Sequence, residues 1–256
     1  MRPHLPLLLT LPLLALFTAA CTNDESGSTK HDISIVATTS LWGSVVEAVV
    51  DDFEGFEVSS LITEDDTDPS TYELSDADRE ELETADIVVA NGGKLDAQLT
   101  QDLNLQDDVV VSALPVIQPD EIDANTPNPY IWFDLDLVDH FADHLAQEIS
   151  QLVPDFPRRA TGVNTEIARL ADIRDGLAET PVVLTSALPE LFVRHTNLEE
   201  VSAQDASVVL DAEFDTYPNA TAIKAQASAA SIVQFGINTS DFFTYYEDLV
   251  SAVATA

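Results

Sequence analysis

Short apolar runs rich in β-branched residues alternate with helical patterns in the first half of this chain. Three such runs occupy residues 33–37, 58–62 and 87–90, and a segment with helical spacing follows each of them. Strands that are apolar throughout and joined by helices are typical of a parallel sheet covered on both faces. We therefore predict an α/β fold, in which ligands bind at the loops beyond the carboxyl ends of the strands.

A long amphipathic helix is predicted near the middle of the chain. Asp134 or Asp136 is its predicted N-cap. Its apolar residues recur at helical spacing on one face, namely Leu137, Val138, Phe141, Leu145, Ile149 and Leu152. Beyond it, apolar runs at 182–185 and 232–235 predict strands of a second parallel sheet. The predicted domains are an N-terminal α/β lobe at 33–133, a connecting helix at 134–155 and a C-terminal α/β lobe at 156–256.

The N-terminus has the pattern of a secretion signal, predicted at residues 1–20. Arg2 supplies a positive charge, and the uncharged run that follows is shorter than the ~20 apolar residues of a membrane span. Small residues precede Cys21, the single cysteine, in a pattern that resembles bacterial lipoprotein signals; an ordinary secretion signal is the alternative. Residues 21–32 are mostly polar and predict a flexible tether between a lipid on Cys21 and the folded chain.

The chain is strongly acidic, with 46 Asp and Glu against 10 Lys and Arg and a formal net charge of −36. So few cations cannot form a basic patch, which excludes a nucleic-acid binder that neutralises phosphates. The acidic surface has two interpretations: a solvated face that keeps the protein soluble, or a field that concentrates cations. The sequence has no phosphate-binding glycine loop and no nucleophile elbow, so it predicts a protein that is not an enzyme.

Four motifs follow one another in a recognisable order: IVATTSLWG at 35–43, TYELSDAD at 71–78, ADIVVANGG at 85–93 and NPYIWFD at 128–134. Together they resemble the zinc/manganese solute-binding proteins of bacterial ABC importers. The resemblance implies two α/β lobes joined by a rigid helix, with a metal ion held in the cleft between them. It also implies an extracytoplasmic protein that delivers its ion to a membrane permease.

At the positions where that family holds its metal, this chain has other residues. Ser70 and Tyr130 stand where the resemblance implies histidines. Ser186 stands where it implies His or Glu, and Asn238 lies in the loop where it implies an acid. Zn²⁺ prefers imidazole, thiolate and carboxylate ligands, and neutral hydroxyls replace them poorly. We therefore predict that the usual zinc site is absent and that the C-terminal lobe is shortened relative to the family.

Carboxylates near the first cleft loop offer a replacement set of ligands. The loop after the second predicted strand is crowded with acids, namely Glu64, Asp65, Asp66 and Asp68, and Glu73 follows. Oxygen ligands suit ions such as Mn²⁺ or Ca²⁺, so Asp68 and Glu73 are the tentative metal ligands. The alternative is a solvated acidic loop in a chain that is acidic throughout.

The histidines give a weaker metal signal. His140 and His144 are four residues apart and share one face of the predicted connecting helix. With Asp136 or Glu148 they would form a transition-metal site, but they lie off the apolar stripe, which favours a solvated surface. His195 stands at the end of a predicted short helix, where a cation complements the helix dipole.

These features predict a monomeric, extracytoplasmic lipoprotein on the outer face of the cell membrane. It would bind a divalent metal ion, Zn²⁺ or Mn²⁺, and deliver it to an ABC permease. The sequence leaves the identity of the ion open. The alternative function is that of a degenerate paralogue that binds no metal and acts as an accessory or interaction lipoprotein.

Overall fold

A computed structural model describes residues 32–256, apart from residues 66, 102, 104, 106–108, 117–127, 213 and 215. The predicted signal, the predicted lipid attachment at Cys21 and the tether up to residue 31 therefore lie outside the described residues. The chain from Asp32 to Ala256 forms one compact unit. None of the helices in this part of the chain combines the length and apolar character that crossing a bilayer requires.

The N-terminal lobe contains a sheet of four parallel strands in the order β2-β1-β3-β4. Its elements are β1 (Ile33–Thr39), α1 (Ser40–Val50), β2 (Phe56–Ile62), α2 (Asp76–Thr84), β3 (Ile87–Ala90), α3 (Gly93–Asp96), α4 (Gln98–Gln101), β4 (Val110–Ser112) and α5 (Ala113–Val116). Short 3-10 turns lie at Pro69–Thr71 and Ile131–Phe133. The helical segment predicted after the third apolar run, at 87–90, forms two short helices, α3 and α4.

The C-terminal lobe repeats this topology with parallel strands in the order β6-β5-β7-β8. The remaining elements are α6 (Leu135–Leu152), α7 (Thr161–Asp175), β5 (Thr180–Leu184), α8 (Glu190–Arg194), β6 (Leu198–Glu200), β7 (Val208–Ala212), α9 (Ala220–Gln226), β8 (Ser231–Phe235) and α10 (Phe242–Thr255). Two parallel-sheet α/β lobes are therefore confirmed. The lobe that was predicted to be shortened has as many strands in its sheet as the other.

Two strands of the second sheet, β6 and β7, were missed in the sequence. All five residues of β7 are buried, and it pairs with both β5 and β8. Its apolar run is only three residues long before Asp211, which gives a weak strand signal. The strand tolerates this buried charge because Lys224 supplies its counter-charge from α9.

The predicted connecting helix is α6, and Asp134 rather than Asp136 is its N-cap. The Asp134 carboxylate accepts hydrogen bonds from the N–H groups of Asp136 and Leu137 at 3.1 and 3.4 Å. The predicted apolar face is buried from Leu137 to Ile149. Leu152 was wrongly placed on it: this residue is 50 % exposed because the helix ends there.

One apolar core runs through both lobes. The Trp42 ring of α1 meets the Phe141 ring of α6 edge-on, with the ring centroids 4.9 Å apart. Phe133, just before α6, meets Phe235 at the end of β8 in the same way, at 5.2 Å. Because protein interiors are close-packed, this shared core sets the positions of the loops that meet between the two sheets.

Candidate functional site

A cavity of about 230 Å³ lies between the two lobes. Its described polar lining comes from four residues of the N-terminal lobe: Asp68, Ser70, Lys94 and Tyr130. Its described apolar lining comes from both lobes: Leu95, Pro129, Phe214 and Ile237. Two of the predicted ligand positions, Ser70 and Tyr130, therefore meet in one cavity.

The turn after β2 places Asp68 and Ser70. Asp68 is the N-cap of the 3-10 turn Pro69–Thr71, and its Oδ1 accepts a hydrogen bond from the Ser70 N–H at 2.9 Å. The Gln98 side chain donates to the Pro69 carbonyl at 2.6 Å, which ties this turn to α4. The turn is thus fixed against the segment that carries Lys94.

Two glycines after β3 place Lys94. Gly92 and Gly93 have φ values of +83° and +63°, a region that residues with a side chain rarely adopt. The tight turn returns the chain so that the Asp96 carboxylate accepts from the N–H groups of Asn91 and Gly92 at 2.8 and 2.6 Å. Lys94 lies on this turn, at the carboxyl end of β3.

The buried Asp96 carboxylate stabilises the turn through hydrogen bonds. Besides the two backbone donors, it accepts a hydrogen bond from the Thr38 hydroxyl at 2.6 Å, and it is fully buried. Burial raises the pKa of Asp96, although the hydrogen bonds from Thr38, Asn91 and Gly92 oppose the rise. This carboxylate holds the ends of β1 and β3 together and does not line the cavity.

Tyr130 lies on the segment that crosses from one lobe to the other. The Asn128 Oδ1 accepts a hydrogen bond from the Tyr130 N–H at 2.9 Å, and its Nδ2 donates to the Ala187 carbonyl of the C-terminal lobe at 2.9 Å. The Tyr130 ring is 4 % exposed and meets the Trp132 ring edge-on at 5.6 Å. The backbone that carries Tyr130 is therefore tied through Asn128 to the C-terminal lobe.

Asn238 fastens the C-terminal lobe to the N-terminal lobe. Its Oδ1 accepts hydrogen bonds from the Leu41 N–H at 3.0 Å and the Ser40 hydroxyl at 3.2 Å. Its Nδ2 donates to the carbonyl oxygens of Ile62 and Glu64 at 3.1 and 3.3 Å. An aspartate here would direct an oxygen at these two carbonyls, so the local structure requires the amide. The neighbouring Ile237, and not Asn238, lines the cavity.

Two further predicted residues lie apart from the described lining of the cavity. Ser186 is buried, and its hydroxyl accepts a hydrogen bond from the Leu188 N–H at 3.3 Å. Glu73 is exposed in the loop before α2. Of the tentative pair Asp68 and Glu73, only Asp68 is among the cavity residues that the structure describes.

The two histidines of α6 differ in burial. His140 is exposed, and His144 is half-buried. His195 follows the last residue of α8, and its Nε2 lies 2.8 Å from the Asp134 carboxylate. Within the described ranges, no three His, Cys, Asp or Glu side chains form a group able to hold a metal ion.

Sequence reasoning missed Lys94, Leu95, Phe214 and Ile237 as cavity residues. The loop after β3 was expected to lie at the ligand-binding edge, and Lys94 was the only cation on it. Phe214 and Ile237 carry no comparable signal, because only the folding of the C-terminal lobe brings them to this wall.

The fold has known relatives. The family described as "Zinc-uptake complex component A periplasmic" matches residues 35–233. The crystal structure of ZnuA superposes with a TM-score of 0.68 at 19 % identity, over 88 % of this chain and 98 % of that one. The periplasmic zinc binding protein TroA from Treponema pallidum superposes with a TM-score of 0.66 at 15 % identity, over 88 % and 99 %.

A third structure, the SBP FpvC from P. aeruginosa in complex with Ni²⁺, has a TM-score of 0.64 at 17 % identity, over 86 % of this chain and 96 % of that one. At such identities these structures show a shared fold. No curated protein sequence matches the chain.

Proposed function

Because the chain belongs to the periplasmic zinc-uptake component A family, we propose that it is the extracytoplasmic solute-binding component of an ABC importer. The observation that supports this most directly is the cavity between the lobes, with Ser70 and Tyr130 in its lining. In this role the cavity holds a solute away from water, and the lobes present it to a membrane permease.

The proposed location rests on the N-terminal sequence. Cleavage before Cys21 and lipidation of its thiol would anchor the protein to the outer face of the cell membrane, with residues 22–31 as tether. The Cys21→Ala variant is then expected to leave the membrane fraction and to lose incorporation of radioactive palmitate. Retention of both by the variant would contradict the anchor.

The described donors do not fit the usual zinc site. Asp68 offers one carboxylate, Ser70 and Tyr130 offer neutral hydroxyls, and the Lys94 ammonium adds a positive charge to the same cavity. Zn²⁺ typically takes four imidazole, thiolate or carboxylate ligands. A metal cargo would instead depend on the acidic loop around Asp68 together with Glu73.

A second candidate function is that of a degenerate paralogue that binds no metal and acts as an accessory lipoprotein. The observation that favours it is the full engagement of Asn238, whose amide makes four hydrogen bonds across the lobes. A residue in this arrangement has no electron pair directed at the cavity. The two candidates differ in whether a permease responds to the protein.

The receptor role is tested with a metal-type ABC importer of the source organism, reconstituted in proteoliposomes. Addition of the purified protein on the receptor side is expected to raise ATP hydrolysis several-fold. An equal concentration of the Asn238→Ala variant, with weakened contacts between the lobes, is expected to raise it less. No change with the unaltered protein would favour the accessory role.

The metal question is tested by calorimetry with Zn²⁺ and Mn²⁺. The double variant Ser70→His, Tyr130→His adds two imidazoles to the Asp68 carboxylate and is expected to gain micromolar or tighter Zn²⁺ binding that the unaltered protein lacks. The variant His140→Gln, His144→Gln controls for a site on the surface of α6. One-to-one metal binding by the unaltered protein that Asp68→Ala with Glu73→Ala abolishes would instead establish a metal receptor.

A further inference from the structure

The described walls of the cavity differ in chemistry, and we propose that its ligand is a small zwitterion with an apolar side group, such as a free aliphatic amino acid. This inference rests on the receptor function proposed above and names its ligand class. It follows from three properties of the cavity: its pair of opposite charges, its apolar wall and its size.

Opposite charges line the cavity within one packed unit. The turn that holds Asp68 is tied to α4 by the 2.6 Å hydrogen bond from Gln98 to Pro69, and Lys94 lies on the preceding helix α3. A ligand with only a positive charge would be repelled by the Lys94 ammonium, and a ligand with only a negative charge would be repelled by the Asp68 carboxylate. A zwitterion offers its ammonium to Asp68 and its carboxylate to Lys94.

Both charged groups have capacity for such a ligand. The Asp68 Oδ1 accepts one backbone hydrogen bond, from Ser70, and a carboxylate has about four lone-pair sites. An ammonium has three N–H donors, so Lys94 can bind a ligand carboxylate in addition to a protein partner. The hydroxyl groups of Ser70 and Tyr130 add neutral hydrogen-bonding groups at the same wall.

The opposite wall is apolar as far as it is described. Phe214 and Ile237 represent the C-terminal lobe, and Ile237 is 3 % exposed. The hydrogen bonds of Asn238 to the other lobe fix the loop so that the aliphatic neighbour lines the cavity. An apolar side group of the ligand that packs against this wall would be removed from water. The hydrophobic effect would then favour binding.

The size of the cavity sets the size of the ligand. The volume of the cavity is about 230 Å³. This is far more than one metal ion needs, and it is below the ~300–1,000 Å³ of sites for drug-sized molecules. The cavity therefore suits a molecule with the dimensions of a single amino acid.

The probes are L-leucine and two analogues that each lack one charge: isoamylamine, without the carboxylate, and isocaproate, without the ammonium. Calorimetry on the purified protein is expected to show one-to-one leucine binding, with each analogue weaker by about tenfold or more, because each loses a charge-assisted hydrogen bond. Absence of a leucine signal at millimolar concentration, or equal binding of all three compounds, would overturn the inference.

Variants assign each charge to its partner. Asp68→Asn keeps the acceptor for Ser70 and is expected to weaken leucine binding about tenfold while abolishing the preference for leucine over isocaproate. Lys94→Met is expected to abolish the preference for leucine over isoamylamine. Glu80→Gln and Arg79→Met change the net charge by the same amounts but lie on the exposed surface of α2, outside the described lining, so they should leave all affinities within about twofold. Equal losses in these controls would contradict the assignment.

The proteoliposome assay separates the two proposals. If the importer responds to the protein but leucine does not bind, the ligand class is wrong and the receptor function stands. If leucine binds with the expected pattern but the importer does not respond, the ligand class stands and the receptor function is wrong.

Discussion

Each lobe buries an aspartate beside the carboxyl ends of its central strands, and the two are held in different ways. In the N-terminal lobe, Asp96 accepts hydrogen bonds from the Thr38 hydroxyl and from two backbone N–H groups. In the C-terminal lobe, Asp211 accepts from the Thr185 hydroxyl at 2.5 Å, from Lys224 at 2.9 Å and from Gln234 at 3.0 Å. A threonine at the end of the corresponding strand takes part in both.

Because the donors to the two aspartates differ, the pKa values of Asp96 and Asp211 shift in opposite directions. Burial raises the pKa of Asp96 and prevails over its neutral donors. Burial acts in the same direction on Asp211, but hydrogen bonds from Thr185, Lys224 and Gln234 together with the Lys224 charge outweigh it and lower the pKa. In the N-terminal lobe, whose loops carry the polar lining of the cavity, the buried aspartate is thus held by neutral donors, mostly of the backbone. In the C-terminal lobe, the buried aspartate is held by an ion pair.

The largest effect is expected from Asp96→Ala. It leaves three buried donors without an acceptor, at ~1–3 kcal/mol each, so the free energy of unfolding should fall by about 3 kcal/mol or more. Urea unfolding of the purified protein measures this. Glu80→Ala on the exposed face of α2 is the control and should change stability by less than about 0.5 kcal/mol. A similar loss of unfolding free energy in both variants would show that the hydrogen bonds of Asp96 do not stabilise the fold.

Asp211→Ala is expected to cost less, about 2 kcal/mol, because two of its donors can be hydrated after the change. Lys224 is 38 % exposed at its side chain, and Gln234 is also exposed. The same urea titrations make the comparison. A loss larger than that of Asp96→Ala would mean that the ion pair, rather than the backbone contacts, dominates.

The two threonines refine the comparison with a matched substitution. Thr38→Val should cost about 1.5 kcal/mol, and Thr185→Val about 1 kcal/mol, because Asp211 keeps its lysine donor when the hydroxyl is lost. Both side chains are fully buried and valine has the same shape, so differences in unfolding free energy report on the hydroxyl. Equal costs would contradict the distinction between neutral and charged support.

The smallest effect is the pH dependence, and its sign differs between the lobes. A lowered folded-state pKa gives Asp211 stability that is present above the ordinary pKa of 3.8 and is lost as the pH falls. A raised pKa gives Asp96 the opposite trend, with its contribution lost as the pH rises through the folded-state pKa.

As the pH falls from the raised folded-state pKa of Asp96 towards about 4, the stability difference between the unaltered protein and Asp96→Asn should therefore grow. Below about pH 4, the difference between the unaltered protein and Asp211→Asn should shrink. Thermal unfolding across this pH range measures both differences. Trends of the same sign would show that the two aspartates titrate alike and would contradict the comparison.

The sequence was sufficient for much of the fold. Apolar runs located β1, β2, β3 and β5, and helical spacing located the buried face of α6. The order of motifs indicated a family whose profile matches residues 35–233. These features are local patterns, and burial of one face or of a whole strand is what creates them. β7 was not predicted because it contains the charged residue Asp211. The partner of Asp211 is Lys224 on α9, and only the tertiary structure brings the two together.

Part of the candidate site could likewise be predicted from the sequence, and part of it was decided only by the tertiary structure. The resemblance singled out Ser70 and Tyr130, and both line the cavity, whereas Ser186 and Asn238 make their contacts elsewhere among the described residues. Motif order fixes which loops meet, because strand ends of parallel sheets gather at one edge. It does not fix which side chain of a loop is directed inward. That was decided by hydrogen bonds between residues nearly two hundred positions apart, such as those joining Asn238 to Leu41 and Ile62, which turn Ile237 to the cavity.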